Sequence, residues 1–266
     1  MPNYTKSITI DKKKEGDNMI TEERYKKILQ LVNATGTVAI ADLIIELGAS
    51  ESTVRRDLVN LDNQNLLKKC YGGAVAINST AFEKDAMRNA RKEINLAAKT
   101  ALAAKAASLI NDGDMVYIDA GTTTELISQF IQAKNVTVVT NGLNHIKTLL
   151  NRDIDVIIVG GKVKPITEAI VGAKVVDELE RYHFNVGFFG ANGVSTKMGY
   201  VTPEVEEAQV KRKALGNCAT AYVVADESKL SKYSFVSFAN LADAVLITNA
   251  KEIEDIAKQT NVIYVG

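Results

Sequence analysis

Two stretches of this chain combine residue types and spacings that suit the binding of phosphate groups. Ser50–Arg56 carries hydroxyl-bearing and basic side chains at the start of an amphipathic segment. Asp119–Thr124, with the sequence DAGTTT, follows a short apolar run and opens another helical pattern. Arginine side chains and the free amides at a helix start both bind phosphate oxygens well. The chemistry indicated is therefore recognition of anions, at two separate places in the chain.

Residues for most catalytic chemistries are scarce. The only histidines are His145 and His183, and the only cysteines are Cys70 and Cys218. The sequence has no zinc-ligand spacing, serine–histidine arrangement or Walker loop. We therefore expect no catalytic residue, metal site or cofactor. The two cysteines fit a reducing compartment rather than a disulfide framework.

Length and composition limit the possible architectures. With 266 residues and 46 % hydrophobic side chains, the chain is long enough for two domains and at least one large core. The 32 basic and 32 acidic residues cancel, so any electrostatic attraction to nucleic acid must be local. No apolar run is long enough for a membrane span, and the first residues lack the apolar core of a signal peptide. We expect a soluble, cytoplasmic protein without membrane contacts.

Residues 1–18 are polar, charged and without periodicity. Such a composition is typical of a disordered tail. An alternative is that translation starts at Met19, because residues 14–18 back-translate to a purine-rich stretch that can contain a ribosome-binding sequence. The two explanations differ in the mass of the native protein.

Residues 19–77 predict a small helical domain. Apolar residues recur at helical spacing over 25–32, and a second short helix is expected over 39–47. A third helix is expected over 51–63, with Ser50 as its N-terminal cap. Helix, short turn and helix, with a polar and basic face at the start of the second, is the helix-turn-helix arrangement. Its second helix enters the major groove of DNA.

A β-hairpin wing is expected after the third helix. Two apolar strands flank the diglycine Gly72-Gly73, and Lys68 and Lys69 are expected to lie against phosphates. The alternative is a packing domain whose arginines are merely solvated. Seven basic and seven acidic residues over 19–77 leave no net charge that would decide between them. The residues expected to contact DNA are Ser50, Glu51, Ser52, Thr53, Arg55, Arg56, Lys68, Lys69 and Tyr71.

A polar linker is expected at 78–90, and residues 91–266 then alternate apolar strands with helical stretches. This alternation predicts an α/β fold with a mainly parallel sheet, in which ligands bind at the carboxyl ends of the strands. The expected strands are 115–119, 136–140, 156–159, 186–189, 221–225 and 245–248. The expected helices are 94–110, 124–131, 143–150, 171–180 and 205–218.

Polar residues follow five of these strands. Taken singly, each has a plain structural explanation: DAGTTT can cap a helix, and Glu207 with Lys211, one helical turn apart, can form a surface ion pair. Taken together, they indicate a site for a small anionic polyol. The five segments are Asp119–Thr124, Thr140–Gly142, Gly160–Lys162, Gly190–Gly193, and Asp226 with Ser228 and Lys229.

Many of these segments resemble one family, and the resemblance covers essentially all of residues 19–266. The sequence is similar to the DeoR family of bacterial transcriptional repressors. Two departures occur: Cys70 and Tyr71 stand where the family has a basic residue and histidine, and Lys229-Leu230 replaces Lys-Phe. The resemblance is carried by Glu23-Arg24, Ala49–Leu58 (ASESTVRRDL), Tyr71–Ala74 (YGGA), Asp119–Thr124, Val138–Asn141 (VVTN), Gly160-Gly161, Phe189–Gly193 (FGANG), Glu207 with Lys211, and Ala225–Lys229 (ADESK).

The resemblance implies a winged helix-turn-helix domain at 19–77 and a sensor domain at 91–266 related in fold to ribose-5-phosphate isomerase. It implies operator DNA and a sugar phosphate as partners, within a homo-oligomer, dimer or tetramer. Thr167–Gly172 and Gly199–Pro203 are most similar to the branch that controls fructose operons, which implies fructose 1-phosphate. The implied effector-binding residues are Asp119, Gly121, Thr122, Thr123, Thr124, Asn141, Gly161, Lys162, Asn192, Glu207, Lys211 and Lys229.

Two other classes of function are alternatives to a repressor. A sugar-phosphate isomerase with an accessory domain needs a base beside the C–H bond to be broken. The corresponding segment of the isomerases is rich in aspartate, whereas Gly190–Gly193 offers an amide and glycines, and Glu207 is left as a possible base. A protein-interaction module is the third class. We expect a DNA-binding repressor, not an enzyme.

Overall fold

A computed structural model describes residues 20–70, 73–76, 92–165 and 167–266. The expectations for the tail at 1–18, for a start at Met19, for Tyr71 and for the linker at 78–90 lie outside the described residues.

The first domain packs three helices against a three-stranded antiparallel sheet of order β1-β3-β2. The predicted helices are confirmed, and so is the pair of strands that forms the wing. The short strand between the first two helices was not predicted. The elements are α1 (Thr21–Thr35), β1 (Thr37–Ala39), α2 (Ile40–Leu47), α3 (Glu51–Asn63), β2 (Leu67–Cys70) and β3 (Gly73–Ala76).

Local sequence explains where the helices of this domain begin and end. The Ser50 hydroxyl accepts a hydrogen bond from the Thr53 amide at 3.3 Å, which caps α3 as expected. Gly36 and Gly48 end α1 and α2 with φ values of 72° and 60°, a conformation that glycine adopts without steric cost. The helices are held together by a core that includes Ile28, Val32, Leu43, Val54, Leu58 and Leu61.

A buried ion pair joins α1 to α3. Arg24 Nε donates to Asp57 Oδ2 at 2.7 Å, and Arg24 Nη2 donates to Asp57 Oδ1 at 3.2 Å. The Asp57 side chain is 3 % exposed and that of Arg24 is 15 % exposed. Both residues belong to the segments that carry the family resemblance, and in the structure they link α1 to α3.

The second domain is built on a seven-stranded parallel sheet of order β15-β14-β12-β9-β4-β5-β6. Its strands are β4 (Met115–Ile118), β5 (Thr137–Thr140), β6 (Asp155–Ile158), β9 (Phe184–Gly190), β12 (Cys218–Val224), β14 (Val245–Thr248) and β15 (Val262–Tyr264). The helices are α4 (Leu96–Ala107), α5 (Thr122–Ile127), α6 (Leu143–Leu150), α7 (Ala173–Leu179), α8 (Val205–Gly216) and α9 (Glu254–Ala257).

All six predicted strands lie in this sheet, which confirms the α/β fold. The helix expected from residue 171 begins at Ala173 instead, because Ile170–Val171 forms strand β8 of a hairpin with β7 (Lys162–Val163). Gly172, with φ of 112°, separates that strand from the helix. The sequence also gave no sign of a small antiparallel sheet of β10 (Gly193–Ser195), β11 (Gly199–Thr202) and β13 (Val236–Ala239).

Helices cover both faces of the parallel sheet. Successive residues of β4 alternate between two cores: Tyr117 packs in the core beneath α7 and α8, and Val116 and Ile118 pack in the core beneath α4 and α6. The order of the strands reverses at β4, which has β5 on one side and β9 on the other. Such a switch point opens a crevice at the carboxyl edge of a parallel sheet. None of the helices in the described part of the chain is long and apolar enough to cross a membrane.

Candidate functional site

The start of α3 presents a polar and basic surface to solvent. Ser52, Arg55 and Arg56 are exposed, whereas Val54 and Leu58 on the opposite side are buried. Arg55 donates to Glu51 Oε1 from Nε at 2.9 Å and from Nη2 at 2.6 Å. An ion pair this exposed contributes little stability, so the guanidinium can exchange its partner for a phosphate or a base edge at small cost.

The wing adds lysines to the same domain. Lys68 on β2 is 70 % exposed and lies 3.8 Å from Asp62 Oδ1, the end of a loose ion pair. Lys69 follows it and is half-buried. The structure therefore leaves the charged ends of both α3 and β2 accessible to a polyanion.

The second domain holds a cavity of about 380 Å³ at the carboxyl edge of its sheet, at the switch point. Its volume is in the range that small-molecule sites occupy. Twelve residues were expected to bind the effector, and seven of them line the cavity: Gly121, Thr122, Thr123, Asn192, Glu207, Lys211 and Lys229.

An ion pair between helix α8 and the residue after β4 forms the floor of the site. The Lys211 ammonium contacts the Asp119 carboxylate and donates to the Gly190 carbonyl at 3.0 Å. The same carboxylate accepts a hydrogen bond from the Gly190 amide at 3.1 Å. Burial raises the pKa of the Asp119 carboxyl, and the ammonium opposes that rise. The pair joins the end of β4 to the end of β9, with Lys211 at the cavity surface and Asp119 behind it.

A second buried lysine reaches the DAGTTT segment. Lys99 on α4 is 4 % exposed, and its Nζ donates to the Thr122 hydroxyl at 3.2 Å. Lys99, Gly121, Thr122 and Thr123 line the cavity together. One end of the cavity therefore combines an ammonium, two hydroxyls and the start of α5, a set of groups that all attract anions.

The other end of the cavity carries groups that suit hydroxyls. Glu207 on α8 accepts hydrogen bonds from the hydroxyls of Thr167 at 2.9 Å and Thr202 at 3.5 Å. Burial raises the pKa of the Glu207 carboxyl. Asn192 is exposed on the same wall, where Thr202 donates to its Oδ1 at 3.3 Å. Carboxylate, amide and hydroxyl groups in such an array can exchange hydrogen bonds with a polyol.

Three of the expected effector residues lie behind the cavity wall instead. The Asn141 amide oxygen accepts from the Tyr117 hydroxyl at 3.1 Å and from the Ala120 amide at 2.9 Å, and its nitrogen donates to the Ile170 carbonyl. The Thr124 hydroxyl donates to the Asp119 carbonyl at 2.6 Å. Asn141, Thr124 and Asp119 thus hold the loop after β4 in shape.

The remaining two expected residues lie away from the cavity lining. A Cβ atom on Gly161 would fall 2.6 Å from Val175 Cγ2 and 2.8 Å from the Val171 carbonyl, so this glycine permits close packing. Lys162 is exposed on β7. They follow β6, an edge strand of the sheet, whereas the cavity lies around β4, β9 and β12.

Lys99, Thr167 and Asp226 also line the cavity but were not among the expected effector residues. Thr167 and Asp226 lie in segments that the sequence analysis had singled out, whereas Lys99 was missed. Asp226 is 1 % exposed and accepts hydrogen bonds from the Ser228 amide at 2.9 Å and from Asn95 Nδ2 at 3.0 Å. The one available signal was Lys99 itself, a charged residue in an alanine-rich helix whose neighbours at helical spacing, Leu102 and Ala103, are core residues.

His145 lies beneath the loop after β4. Its Nε2 is 3.2 Å from the Asp119 carbonyl and its Nδ1 is 3.2 Å from the Ser128 hydroxyl. Burial lowers the pKa of His145 to about 4, so the imidazole is neutral near pH 7. Across the described residues, no group of three or more His, Cys, Asp and Glu is placed to hold a metal ion.

The two sites correspond to two known domains. A DeoR C terminal sensor domain matches residues 94–250, and a DeoR-like helix-turn-helix domain matches residues 24–80. The chain belongs to the DeoR family. The resemblance of its motifs is thereby confirmed.

Three relatives illustrate the range of this family. The chain is 41 % identical over 235 residues to the uncharacterized HTH-type transcriptional regulator FruR of Bacillus subtilis (strain 168), which covers 88 % of this chain and 93 % of that protein. It is 35 % identical over 240 residues to the lactose phosphotransferase system repressor of Staphylococcus aureus (strain NCTC 8325 / PS 47), covering 89 % and 95 %. It is 34 % identical over 227 residues to the HTH-type transcriptional regulator GlpR of Haloferax volcanii, covering 85 % and 88 %. These DeoR-type relatives are named as regulators or repressors, which confirms a regulator rather than an enzyme.

Two solved structures match part of the chain. The ribose 5-phosphate isomerase A of Methanocaldococcus jannaschii has a TM-score of 0.37 at 18 % identity, and the match covers 50 % of this chain and 54 % of that one. The translation initiation factor eIF-2B of Pyrococcus horikoshii OT3 has a TM-score of 0.39 at 18 % identity, covering 79 % and 72 %. Neither likeness bears on function.

Proposed function

We propose that this chain represses a sugar-utilisation operon, and that a phosphorylated sugar in the sensor cavity relieves the repression. The observation that carries the proposal is the division of the cavity into an anion-attracting end, with Lys99 and Thr122, and a hydroxyl-binding end, with Glu207 and Asn192. A sugar phosphate has the same two kinds of group at its two ends.

The phosphate is expected beside Lys99, with its oxygens accepting from the ammonium and from the hydroxyls of Thr122 and Thr123. Charge-assisted hydrogen bonds of this kind are short and strong. The sugar hydroxyls are expected to donate to Glu207 and to accept from Lys211. Asp119 balances the charge of Lys211, so Lys211 would meet the sugar as one member of an ion pair.

The finer proposal for the effector is fructose 1-phosphate. It is supported by the segments at 167–172 and 199–203 that resemble the fructose branch, and by the 41 % identity to a relative named FruR. Thr167 and Thr202, within those two segments, both donate to Glu207, so the two segments meet at the hydroxyl-binding end of the cavity.

On DNA, we propose that α3 reads the major groove through Arg55 and Arg56, with Lys68 and Lys69 against the phosphates. Two copies in a two-fold homo-oligomer would place two such helices on half-sites separated by a turn of DNA. Effector binding is linked to operator binding, and a typical linkage of about 1–3 kcal/mol changes operator affinity roughly 5- to 150-fold.

The test measures operator affinity by fluorescence anisotropy on the DNA upstream of the protein's own operon, with and without sugar phosphates. We expect fructose 1-phosphate to weaken binding and to raise the thermal unfolding temperature of the free protein. At 100 times its dissociation constant, a ligand stabilises a protein by about 2.7 kcal/mol. Absence of both effects with fructose 1-phosphate, but not with another sugar phosphate, would refute this effector alone.

Two sets of substitutions test whether operator binding and effector binding depend on separate residues. Arg55→Ala with Arg56→Ala is expected to abolish operator binding and to leave the thermal shift by the effector unchanged. Thr122→Ala with Thr123→Ala is expected to leave operator binding intact but insensitive to the effector. A Thr122→Ala/Thr123→Ala protein that loses operator binding would contradict the assignment.

A further inference from the structure

The helix-turn-helix domain contributes one wall of the sensor cavity. Opposite the DAGTTT segment and Lys229, the lining continues across the domain boundary. The residues that the helix-turn-helix domain supplies are Ala34, Thr35, Val38, Ala39 and Asp42. The cavity is therefore closed by both domains, although the sheet that carries it belongs to only one.

One loop of the sensor domain makes the contact. Lys232 Nζ lies 3.4 Å from Asp42 Oδ1, at the start of α2. Close by, a Cβ atom on Gly73 would fall 2.5 Å from Phe235 Cζ, so the Phe235 ring lies directly against the backbone of β3. A charged contact and an apolar contact thus seat the helix-turn-helix domain on residues 232–235.

The same loop is fastened to the cavity. The Lys232 amide donates to the Lys229 carbonyl at 3.4 Å, and the Ser231 amide donates to the Val194 carbonyl at 2.8 Å. Lys229 ends the short 3-10 turn that Asp226 caps. Lys229 at the cavity and Lys232 at the contact with Asp42 are therefore three residues apart in one hydrogen-bonded loop.

The charges that line this part of the cavity determine how a bound anion would act on the contact between Lys232 and Asp42. Asp42 is the only charged residue among the five that the helix-turn-helix domain contributes, and the Thr35 hydroxyl already donates to the Leu31 carbonyl at 2.7 Å. This wall therefore offers a phosphate a repelling carboxylate, while the sensor side offers Lys229 and Lys232. An anion in the cavity attracts Lys232 and opposes Asp42.

We propose that Asp42 and the phosphate of the effector compete for Lys232, so that effector binding releases the helix-turn-helix domain from the sensor domain. This inference rests on the proposed function, because it requires a phosphorylated ligand in the cavity. It assigns to Asp42, a residue of the DNA-binding domain, a direct effect on effector affinity.

The first arm of the test needs no ligand. Hydrogen–deuterium exchange of the full-length protein is measured over residues 231–239. Asp42→Lys is expected to increase the exchange rate there at least twofold, although residue 42 lies in the other domain. Glu46→Lys, on the same helix, is the matched control, since Glu46 pairs with Lys27 and lies outside the cavity lining. Equal exchange in the two variants would overturn the docking contact.

The second arm uses fructose 1-phosphate with the full-length protein in calorimetry. Asp42→Asn is expected to tighten binding of fructose 1-phosphate about 2- to 5-fold, because Lys232 no longer has to leave an exposed ion pair with residue 42. Glu46→Gln is expected to leave the affinity unchanged. Bound fructose 1-phosphate is expected to increase exchange over residues 34–42. Unchanged or weaker binding by Asp42→Asn, or slower exchange over 34–42, would overturn the competition.

The two arms separate this inference from the proposed function. If no sugar phosphate raises the thermal unfolding temperature of the unaltered protein, the proposed function fails, and the competition fails with it. If a sugar phosphate binds and weakens operator binding, but Asp42→Asn behaves as Glu46→Gln does, the proposed function stands and only the competition is overturned.

Discussion

Replacing Lys99 by methionine tests the anion-binding end of the cavity. Methionine keeps an unbranched apolar chain at this buried position and removes the ammonium that donates to Thr122 at 3.2 Å. A hydrogen bond to a charged group contributes roughly 1.5–3 kcal/mol. Since about 1.4 kcal/mol is tenfold in affinity, Lys99→Met is expected to raise the effector dissociation constant roughly 10- to 150-fold.

The free energy of unfolding of the ligand-free protein is expected to change little, because the cost of burying an ammonium disappears together with its hydrogen bonds. Calorimetric titration with the sugar phosphate gives the dissociation constant, and chemical denaturation gives the stability. Lys105→Met is the matched control, since Lys105 lies on the same helix and is exposed. A loss of affinity below about threefold in Lys99→Met, with the fold intact, would refute the role of Lys99 in phosphate binding.

Three further predictions concern stability. Asp57→Asn removes one partner of the buried pair with Arg24, and it is expected to lower the free energy of unfolding by about 3 kcal/mol in chemical denaturation. Glu51→Gln, in the exposed pair with Arg55, is expected to lower it by less than about 0.5 kcal/mol. Similar losses in the two variants would contradict the argument from burial. Burial lowers the pKa of His145 to about 4 in the folded protein, against 6.5 for an ordinary histidine. The free energy of unfolding is therefore expected to keep its full value above pH 6.5 and to fall, by up to about 3 kcal/mol, as the pH drops towards 4. His145→Gln should flatten that dependence over the same pH range, and an unchanged slope would assign it to other groups. Gly161→Ala is expected to lose about 1–3 kcal/mol by overpacking against Val175 and Val171, and Gly160→Ala, whose Cβ would meet nothing closer than 3.8 Å, serves as its control; equal stabilities would show that the packing at Gly161 relaxes freely.

Much of the fold was predictable because its central strands are continuous apolar runs. Strands buried on both faces of a parallel sheet have that pattern, and all six predicted ones are in the sheet. The strands that were missed are short or polar, such as β7 and β10, and they form through contacts with distant segments. The helix predicted over 171–180 included Val171, the second residue of strand β8. In the local sequence, only Gly172 separates this buried two-residue strand from the start of the helix.

The lining of the cavity was only partly predictable, because residues that are far apart along the chain meet there. The strand-end rule leads to Gly121–Thr123 and Asn192, which line the cavity, because the rule concerns backbone topology. It gives no information on which side chains turn inward. Asn141 bonds to buried groups from three segments, and Lys99 reaches Thr122 from the separate helix α4, so both roles depend on tertiary contacts.

The cavity has a frame and a lining made by different residues. Asp119, Thr124 and Asn141 bond to backbone groups and keep the loop after β4 in place, while Thr167, Asn192 and Glu207 face the ligand space. Changes in the lining therefore alter which ligand is held without dismantling the loop that holds it. In evolutionary terms, if the cavity holds the proposed inducer, a duplicated copy of this regulator can change its inducer through a few lining substitutions, and directed libraries aimed at 167, 192 and 207 would test that.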